Sequence, residues 1–317
     1  MKILLTGAAG FIGSHLATRL LTRGDAVVGL DNFDETLYAA ALHQRNLETI
    51  SGERFRFVPG DFLDAPLLDS LAAEKPDAIV HLGGLAGVRP SIAFPHRYQK
   101  VNIEGTLNVL EACRQHGIKR LVFASSSSVY GKSASVPFRE NDPADRPVSP
   151  YAATKRAGEL LCANYQDLYG ISTNALRFFT VYGPRQRPEM AIHKFAQLIR
   201  DGKPVPIFGD GSTARDYTFI DDIIDGVVAA IDATGRTPGY HVYNLGGSRT
   251  TKLGELIKLI ENGLGKIAQI DRQPDQPGDV PLTWADPSLA QKEIGYSPKV
   301  GIEEGIARFC AWFKLQK

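Results

Sequence analysis

Residues 2–16 read Lys2-Ile-Leu-Leu-Thr6-Gly7-Ala-Ala-Gly10-Phe11-Ile12-Gly13-Ser14-His15-Leu16. The first five form an apolar run without alternation, as in a strand buried on both faces. From Ser14 the spacing is helical, so a glycine-rich turn joins the first strand to the first helix. Gly7 permits the tight turn, Gly10 lets backbone approach a pyrophosphate, and Gly13 lets helix and strand pack closely. The helix N-terminus then faces the phosphates. The spacing is G-x-x-G-x-x-G, not the commoner G-x-G-x-x-G; its place between a strand and a helix gives it meaning.

Outward from that turn, Ala26–Asp31 reads as the second strand. Its terminal acid lies about 20 residues beyond the turn, where a carboxylate accepts hydrogen bonds from adenosine ribose hydroxyls and repels a 2′-phosphate. Asn32, not Arg, follows. NAD is therefore expected over NADP. Phe55–Val58 is a third strand, followed by Asp61-Phe62, an acid placed to bond the adenine amino group. Ala78–Leu82 is a fourth, followed by Gly83-Gly84, where a cofactor can pass close to bare backbone. Arg97–His116 reads as one long helix containing Asn102. Strands alternating with helices imply a parallel, doubly wound α/β sheet with ligands at the carboxyl ends of its strands.

The fifth strand runs from Arg120 into Ser125-Ser126-Ser127-Ser128. Ser149 opens a helix carrying Tyr151 and Lys155, which share a face four residues apart. A free phenol has a pKa of about 10, and a nearby cation stabilises the phenolate. Tyr151 is thus a candidate general base, with the Lys155 ammonium expected beside the phenol. Alone, the tetrad would read as an exposed surface pair; the strand, the serines and the glycine turn change that reading.

The totals exclude several classes. With 43% hydrophobic and 22% charged residues and a net charge of +1, the chain gives no electrostatic case for nucleic acid or an anionic membrane. Its three cysteines and seven histidines are scattered, so neither a disulfide framework nor a zinc site is expected. A cytoplasmic protein is the expectation: no leader precedes the first strand, and no apolar run nears the roughly 18 residues a membrane span needs. Beyond the sixth strand, Thr173–Arg177, prolines and glycines become denser. Helices are expected at Met190–Asp201, Asp221–Thr234, Leu253–Gly263 and Ile302–Leu315, with strands at Val205–Phe208 and Tyr240–Leu245. Residues 1–179 read as a dinucleotide-binding domain, with the chain returning to it around residues 219–245. Residues 180–317 read as a smaller α+β substrate lobe.

With these residues in view, the chain resembles the extended short-chain dehydrogenase/reductases, specifically the nucleotide-sugar 4-epimerases, and within them the UDP-glucuronate 4-epimerases. The motifs are TGAAGFIGSH from Thr6, SSSSVYG from Ser125, Tyr151-x-x-x-Lys155, Arg177-Phe-Phe-Thr-Val-Tyr-Gly183-Pro, Arg215-Asp-Tyr-Thr-Phe-Ile-Asp-Asp222 and Pro277-Gly-Asp279. The resemblance implies a Rossmann-type fold, NAD as cofactor, and oxidation at the sugar C4 followed by return of the hydride to its other face. It implies that Tyr151 and Ser126 contact the reacting hydroxyl while Lys155 holds the nicotinamide ribose and supports the phenolate. Cofactor contacts are implied for Gly7, Gly10, Phe11, Ile12, Gly13, Asp31, Asn32, Asp61, Phe62, Leu82, Gly83, Gly84, Asn102, Ser125 and Phe178. It also implies a homodimer through the helices 97–116 and 149–169.

The 4,6-dehydratases of this scaffold place Asp-Glu where Ser127-Ser128 stand, so dehydration is not expected. Three features favour a UDP-hexuronic acid. Ser126, Ser127 and Ser128 face Thr180, and hydroxyl donors suit a carboxylate whose burial is otherwise costly. Gly87-Val-Arg89-Pro-Ser91 and Val181-Tyr-Gly-Pro-Arg185-Gln-Arg187-Pro resemble segments of UDP-glucuronate 4-epimerases, offering Arg89, Arg185 and Arg187 to anionic groups. Met190-Ala-Ile192-His-Lys194-Phe195 matches the same subgroup. Arg215 is the expected diphosphate clamp, since a guanidinium binds phosphate bidentately, and the resemblance places Gln276 and Asp279 near uridine. Thr283 stands where UDP-glucose epimerases often carry a bulky Tyr, so UDP-glucose or UDP-N-acetylglucosamine remains an alternative. A nucleotide-sugar decarboxylase and a non-catalytic nucleotide sensor are the others.

Overall fold

The computed structural model describes residues 1–131, 135–247, 249–274 and 281–316. In chain order the first part runs β1 (Lys2–Thr6), α1 (Phe11–Arg23), β2 (Ala26–Asp31), α2 (Ala40–Glu48), β3 (Phe55–Pro59), α3 (Ala65–Ala73) and β4 (Ala78–His81). There follow α4 (Val88–Ala93), α5 (Pro95–Gln99), a π-helical turn (Lys100–Glu104), α6 (Gly105–His116), β5 (Arg120–Ser126), a 3-10 turn (Ser127–Tyr130), α7 (Pro150–Tyr169) and β6 (Ser172–Phe178). The remainder comprises β7 (Thr180–Tyr182), α8 (Ala191–Arg200), β8 (Pro204–Phe208), β9 (Ala214–Arg215), β10 (Tyr217–Phe219), α9 (Ile220–Arg236) and β11 (Tyr240–Leu245). It closes with β12 (Thr251–Lys252), α10 (Leu253–Leu264), β13 (Gln269–Gln273), α11 (Ser288–Ile294) and α12 (Ile302–Lys314). Among the described residues no helix is long and apolar enough to cross a membrane.

One seven-stranded parallel sheet organises the molecule, in the order β3-β2-β1-β4-β5-β6-β11. The order reverses beside β1, and a crevice opens there at the carboxyl ends of the strands. β1, β4 and β6 are buried along almost their whole length, which is why they carry apolar runs rather than alternation. β11 returns from the C-terminal half to pair with β6 from Tyr240↔Thr173 to Leu245↔Phe178. Two further parallel pairs, β10 with β7 and β13 with β8, lie outside the main sheet.

Three differences from the sequence expectation have physical reasons. α1 begins at Phe11, so Gly13 lies within its first turn. The expected single helix 97–116 is broken by the π-helical turn, whose extra residue per turn redirects Asn102. α11 was not anticipated; it is only seven residues long, too short for a clear period.

The Gly13 position sets a testable sign. A Cβ there would lie 2.0 Å from the Gly7 carbonyl oxygen and 2.8 Å from its carbon, both backbone atoms that cannot swing aside. Alanine gains up to about 1 kcal/mol of helix propensity over glycine, but overpacking costs about 1–3 kcal/mol or more. Gly13→Ala should therefore lower the free energy of denaturant unfolding by about 1–2 kcal/mol. Unchanged or increased stability would refute the close approach.

Candidate active site

The cleft at the carboxyl ends of β1, β4, β5 and β6 has a volume of about 370 Å³. Its floor is two glycine turns packed on each other. Gly7 has φ +73°, and a Cβ on it would meet the Gly83 nitrogen at 2.8 Å. A Cβ on Gly84, at φ +151°, would come within 3.0 Å of Asn102 Oδ1 and 3.3 Å of Lys155 Nζ. α1 starts from Gly10 with no side-chain cap and no acid in its first turn. Its first N–H groups therefore lack capping side chains, which with the helix dipole makes a cradle for an anionic diphosphate. Thr6 and the neutral His81 tie β1 to β4: Thr6 Oγ1 lies 2.7 Å from His81 Nδ1 and accepts from the Gly83 N–H at 3.1 Å. Burial, aided by the Lys155 charge, pushes His81 down to about 3.

At one end of the cleft the Asp31 carboxylate accepts from the backbone N–H of Ala9 at 3.0 Å and Phe33 at 2.9 Å. Burial raises its carboxyl above the usual range despite those bonds. Asn32 donates to Asp61 at 2.8 Å. Tyr38 stacks on His43 with ring centroids 4.3 Å apart, and His43 Nδ1 lies 3.7 Å from Asp31. These groups fit an adenosine with free ribose hydroxyls. Tyr38 and His43 were not anticipated, because the segment after Asp31 has no periodicity to read.

At the other end stand Ser126, Tyr151 and Lys155. Ser149 caps α7, its hydroxyl accepting from the Ala152 N–H at 3.1 Å, and Pro150 supplies the first helical residue. That start places Tyr151, 9% exposed, edge-on to Tyr98 with centroids 6.2 Å apart. Burial raises the Tyr151 phenol above its ordinary value; its hydrogen bond with Ser126 and the field of Arg187 oppose the rise. Because α7 packs against β5, Lys155 Nζ donates to the Ala124 carbonyl at 2.8 Å and lies 5.3 Å over the Phe123 ring. Burial lowers Lys155 to about 8.

Behind the serines lies a network that sequence reading missed. Glu159, fully buried, takes two bonds from Arg177 at 2.8 and 2.9 Å, one from Ser125 at 2.6 Å and one from Arg156 at 2.9 Å. Burial alone would raise its carboxyl, yet Arg177, Ser125 and Arg156 hold it below the usual value. The Arg177 guanidinium stacks on Tyr130 at 4.7 Å, and Tyr130 donates to Asn244 at 2.6 Å. Asn102 plays a similar part on the other flank. It donates to the Leu85 carbonyl at 2.9 Å and to Thr154 at 3.0 Å, and accepts from the Leu85 N–H at 2.8 Å. It stands behind the cleft wall and fixes the Gly83–Leu85 turn to α7. The signal for Glu159 was its spacing: it continues the face of Tyr151 and Lys155 by one more turn.

The remaining anticipated residues divide. Gly7, Gly10, Phe11, Ile12, Gly13, Asp31, Asn32, Asp61, Phe62, Leu82, Gly83, Gly84, Ser125 and Phe178 line the cleft, with Ser126, Ser127, Ser128, Thr180 and Arg187. The β5–β6 register sets Ser126 beside Phe178, which brings the serines and Thr180 to one wall. Arg89 lies instead over the Phe208 ring at 5.0 Å. Arg185 reaches Thr49, away from the cleft. Ile192 and Phe195 belong to the apolar core beneath α8, and Lys194 is exposed. Arg215 donates to the carbonyls of Ala214 at 3.0 Å and Pro281 at 3.3 Å, off the cleft wall. Gln276 and Asp279 lie outside the described residues. Leu37, Leu85–Val88, Phe179 and Met190 are wall residues not anticipated.

Removing one partner of a buried ion pair leaves the other charge uncompensated. Glu159→Gln should therefore destabilise the fold by about 3–5 kcal/mol. Urea unfolding measures this, and a loss below about 1 kcal/mol, the level of an exposed pair, would show that the network does not hold the site together.

Residues 4–309 match the family model described as GDP-mannose 4,6 dehydratase. A UDP-glucuronate 4-epimerase of Thermodesulfobacterium geofontis is 41% identical over 98% of this chain and 95% of its own. A crystal structure of a UDP-glucuronic acid 4-epimerase from Bacillus cereus, in complex with UDP-glucuronic acid and NAD, superposes with a TM-score of 0.93 at 39% identity, covering 99% of both chains. The UDP-glucose 4-epimerase of Thermotoga maritima with UDP-glucose gives 0.90 at 31% identity, again covering 99% of both.

Proposed function

This chain belongs to the extended short-chain dehydrogenase/reductase family that the GDP-mannose 4,6-dehydratase model describes, and we propose that it is an NAD-dependent UDP-glucuronate 4-epimerase. At the coarser level it is an epimerase of UDP-sugars with NAD as cofactor. The observation that carries the finer reading is one wall of the cleft. Ser127, Ser128 and Thr180 bring three hydroxyls, and Arg187 a cation, to the lining of the cleft that also holds Tyr151. A hexuronate places its carboxylate one carbon from the ring, and donors there compensate a charge that is otherwise costly to bury.

In this reading residues 1–179 hold NAD, with the chain returning at 219–245, and residues 180–317 hold the nucleotide sugar. The glycine cradle and the α1 N-terminus take the dinucleotide phosphates, Asp31 its ribose, and Lys155 the nicotinamide ribose. The chemistry NAD supplies when bound is reversible hydride exchange at its nicotinamide. The protein's part is the proton and the geometry. Tyr151, in its ionised form, takes the proton of the C4 hydroxyl and later returns it. Ser126 and Arg187 favour that ionised form against the burial that opposes it. Positioning matters as much as basicity, since the 4-keto sugar must present its other face without leaving. Ser127 and Ser128 stand where dehydratases carry Asp-Glu, and hydroxyls of ordinary acidity do not remove or deliver a C5 proton at neutral pH.

The test is incubation of the purified protein, without added NAD, with UDP-glucuronate, UDP-glucose and UDP-N-acetylglucosamine separately. UDP-galacturonate is the expected product, and Tyr151→Phe should abolish its formation while ligand binding survives. Fast turnover of UDP-glucose alone would favour the second reading, a neutral-sugar epimerase. That reading is supported by the small Thr283 and by the likeness to the Thermotoga maritima enzyme.

A 4-keto glucuronate is a β-keto acid, and it loses CO₂ when its carboxylate charge can delocalise into the carbonyl. Donors fixed on the carboxylate keep the charge in place. Thr180→Ala, Ser127→Ala and Ser128→Ala should therefore raise the UDP-pentose formed per epimerisation, measured by chromatography of the products. A ratio equal to the parent's would remove decarboxylation control from these hydroxyls.

We also infer a homodimer through α6 and α7. Leu107, Leu160 and Leu168 on those helices are 37%, 55% and 61% exposed, and a four-helix packing between two copies would cover them. Leu160→Glu should shift sedimentation equilibrium toward the monomer mass. A parent protein that already sediments as a monomer would refute the interface.

A further inference from the structure

Arg185 and Arg187 are two residues apart, and only Arg187 reaches both cavities of this face. Arg187 is in the cleft wall, while Arg185 enters a second cavity of about 370 Å³ between α2, the 183–190 loop, α8 and α12. Four arginines line this cavity, Arg45, Arg185, Arg187 and Arg200, and no aspartate or glutamate does. Arg187 and Arg200 have carboxylate partners at its edge, Glu189 at 3.2 Å and Asp201 at 2.9 Å. The other two do not. Arg185 finds only the neutral Thr49 hydroxyl, and among the described residues Arg45 makes no hydrogen bond or ion pair.

Two further observations point to a ligand. Arg185 holds φ at +67°, a left-handed backbone that non-glycine residues keep only where the surroundings impose it and that clusters at ligand sites. Gln186, 2% exposed, is a lining residue of this cavity; it donates to the Val181 carbonyl at 3.0 Å, and its buried Oε1 has no partner. A buried acceptor with nothing to accept calls for a hydroxyl or N–H donor. Burial also lowers the Arg185 guanidinium to about 10, the more distant charge of Asp221 only partly opposing the fall.

We propose that this second cavity binds a phosphate-bearing anion, with Arg45 and Arg185 as counter-charges and Gln186 accepting from a hydroxyl of the same molecule. Inorganic polyphosphate and a sugar phosphate share this chemistry; the Gln186 acceptor favours the sugar phosphate. Tyr38 and Arg187 belong to the walls of both cavities. An anion here draws on the Arg187 charge that favours ionised Tyr151, so it lowers turnover without displacing substrate. That consequence rests on the function proposed above; the binding does not.

Trp312 lines the cavity and gives a direct readout. In Trp284→Phe protein, with NAD and UDP saturating the main cleft, pyrophosphate and glucose 1-phosphate are titrated separately while Trp312 fluorescence is followed. Calorimetry on the parent chain repeats the measurement. A saturable response is expected, tighter for the sugar phosphate, and weakened about tenfold or more in Arg45→Ala, the loss of one charge-assisted hydrogen bond. Arg45 is exposed and unpaired, so the melting temperature of that variant should equal the parent's. No saturable binding, or equal affinity in Arg45→Ala, overturns the proposal. So does a response that NAD and UDP abolish, since it belongs to the main cleft. In turnover assays the anion should lower kcat in the parent and not in Arg45→Ala. Equal inhibition of both would remove the link through Arg187 while the binding result still stands or falls separately.

Discussion

The buried carboxylate of Glu159 is the interaction on which the site depends. It joins three elements at one point: α7, which carries it; β5, through Ser125; and β6, through Arg177. Two unit charges in a dry interior attract strongly, but they also lose their hydration, and the balance is favourable only when the remaining lone pairs and protons are satisfied. Here they are, with Arg156 and Tyr130 completing the set. The result is positional. Tyr151 and Lys155 lie on the same helix face, two turns and one turn before Glu159, so anchoring that face to the strand ends fixes both against the serines.

Burial sets the electrostatics of everything on that face. It raises Tyr151 and lowers Lys155, each away from its charged form. Ser126 and Arg187 act against this for Tyr151, and the Ala124 carbonyl gives Lys155 a neutral acceptor. Both shifts run against ionisation, and the Lys155 ammonium and the Tyr151 phenol each have a partner of their own, Ala124 and Ser126. The two groups that oppose the rise at Tyr151 come from two other stretches of chain, Ser126 from β5 and Arg187 from the loop before α8.

The arginines are sorted by the fold in a similar way. Arg187 lines both the cleft and the second cavity, Arg185 the second cavity, and Arg89 lies across Phe208. One short loop therefore supplies cations to two separate sites. Arg185 sits in that loop with a left-handed backbone.

Much of this was legible in the chain itself. The glycine turn, Asp31 at a strand end, and Tyr151 with Lys155 on one helix face are local patterns. Their physics acts over a few residues: a strand buried on both faces reads as an apolar run, and a helix repeats every turn. The parallel sheet followed from those alternating periods, and so did the serines at the end of β5. Other features could not be read that way. The π-helical turn that aims Asn102, the Tyr38–His43 stack, the partners of Glu159 and the separation of Arg185 from Arg187 depend on contacts between residues far apart in sequence. Burial and direction decide those contacts, and both exist only once the sheet has closed and the helices have packed against it. The sequence determined which chemistry the chain carries and on which local elements; tertiary packing decided which of those groups meet, because charge and hydrogen bonding act through space rather than along the chain.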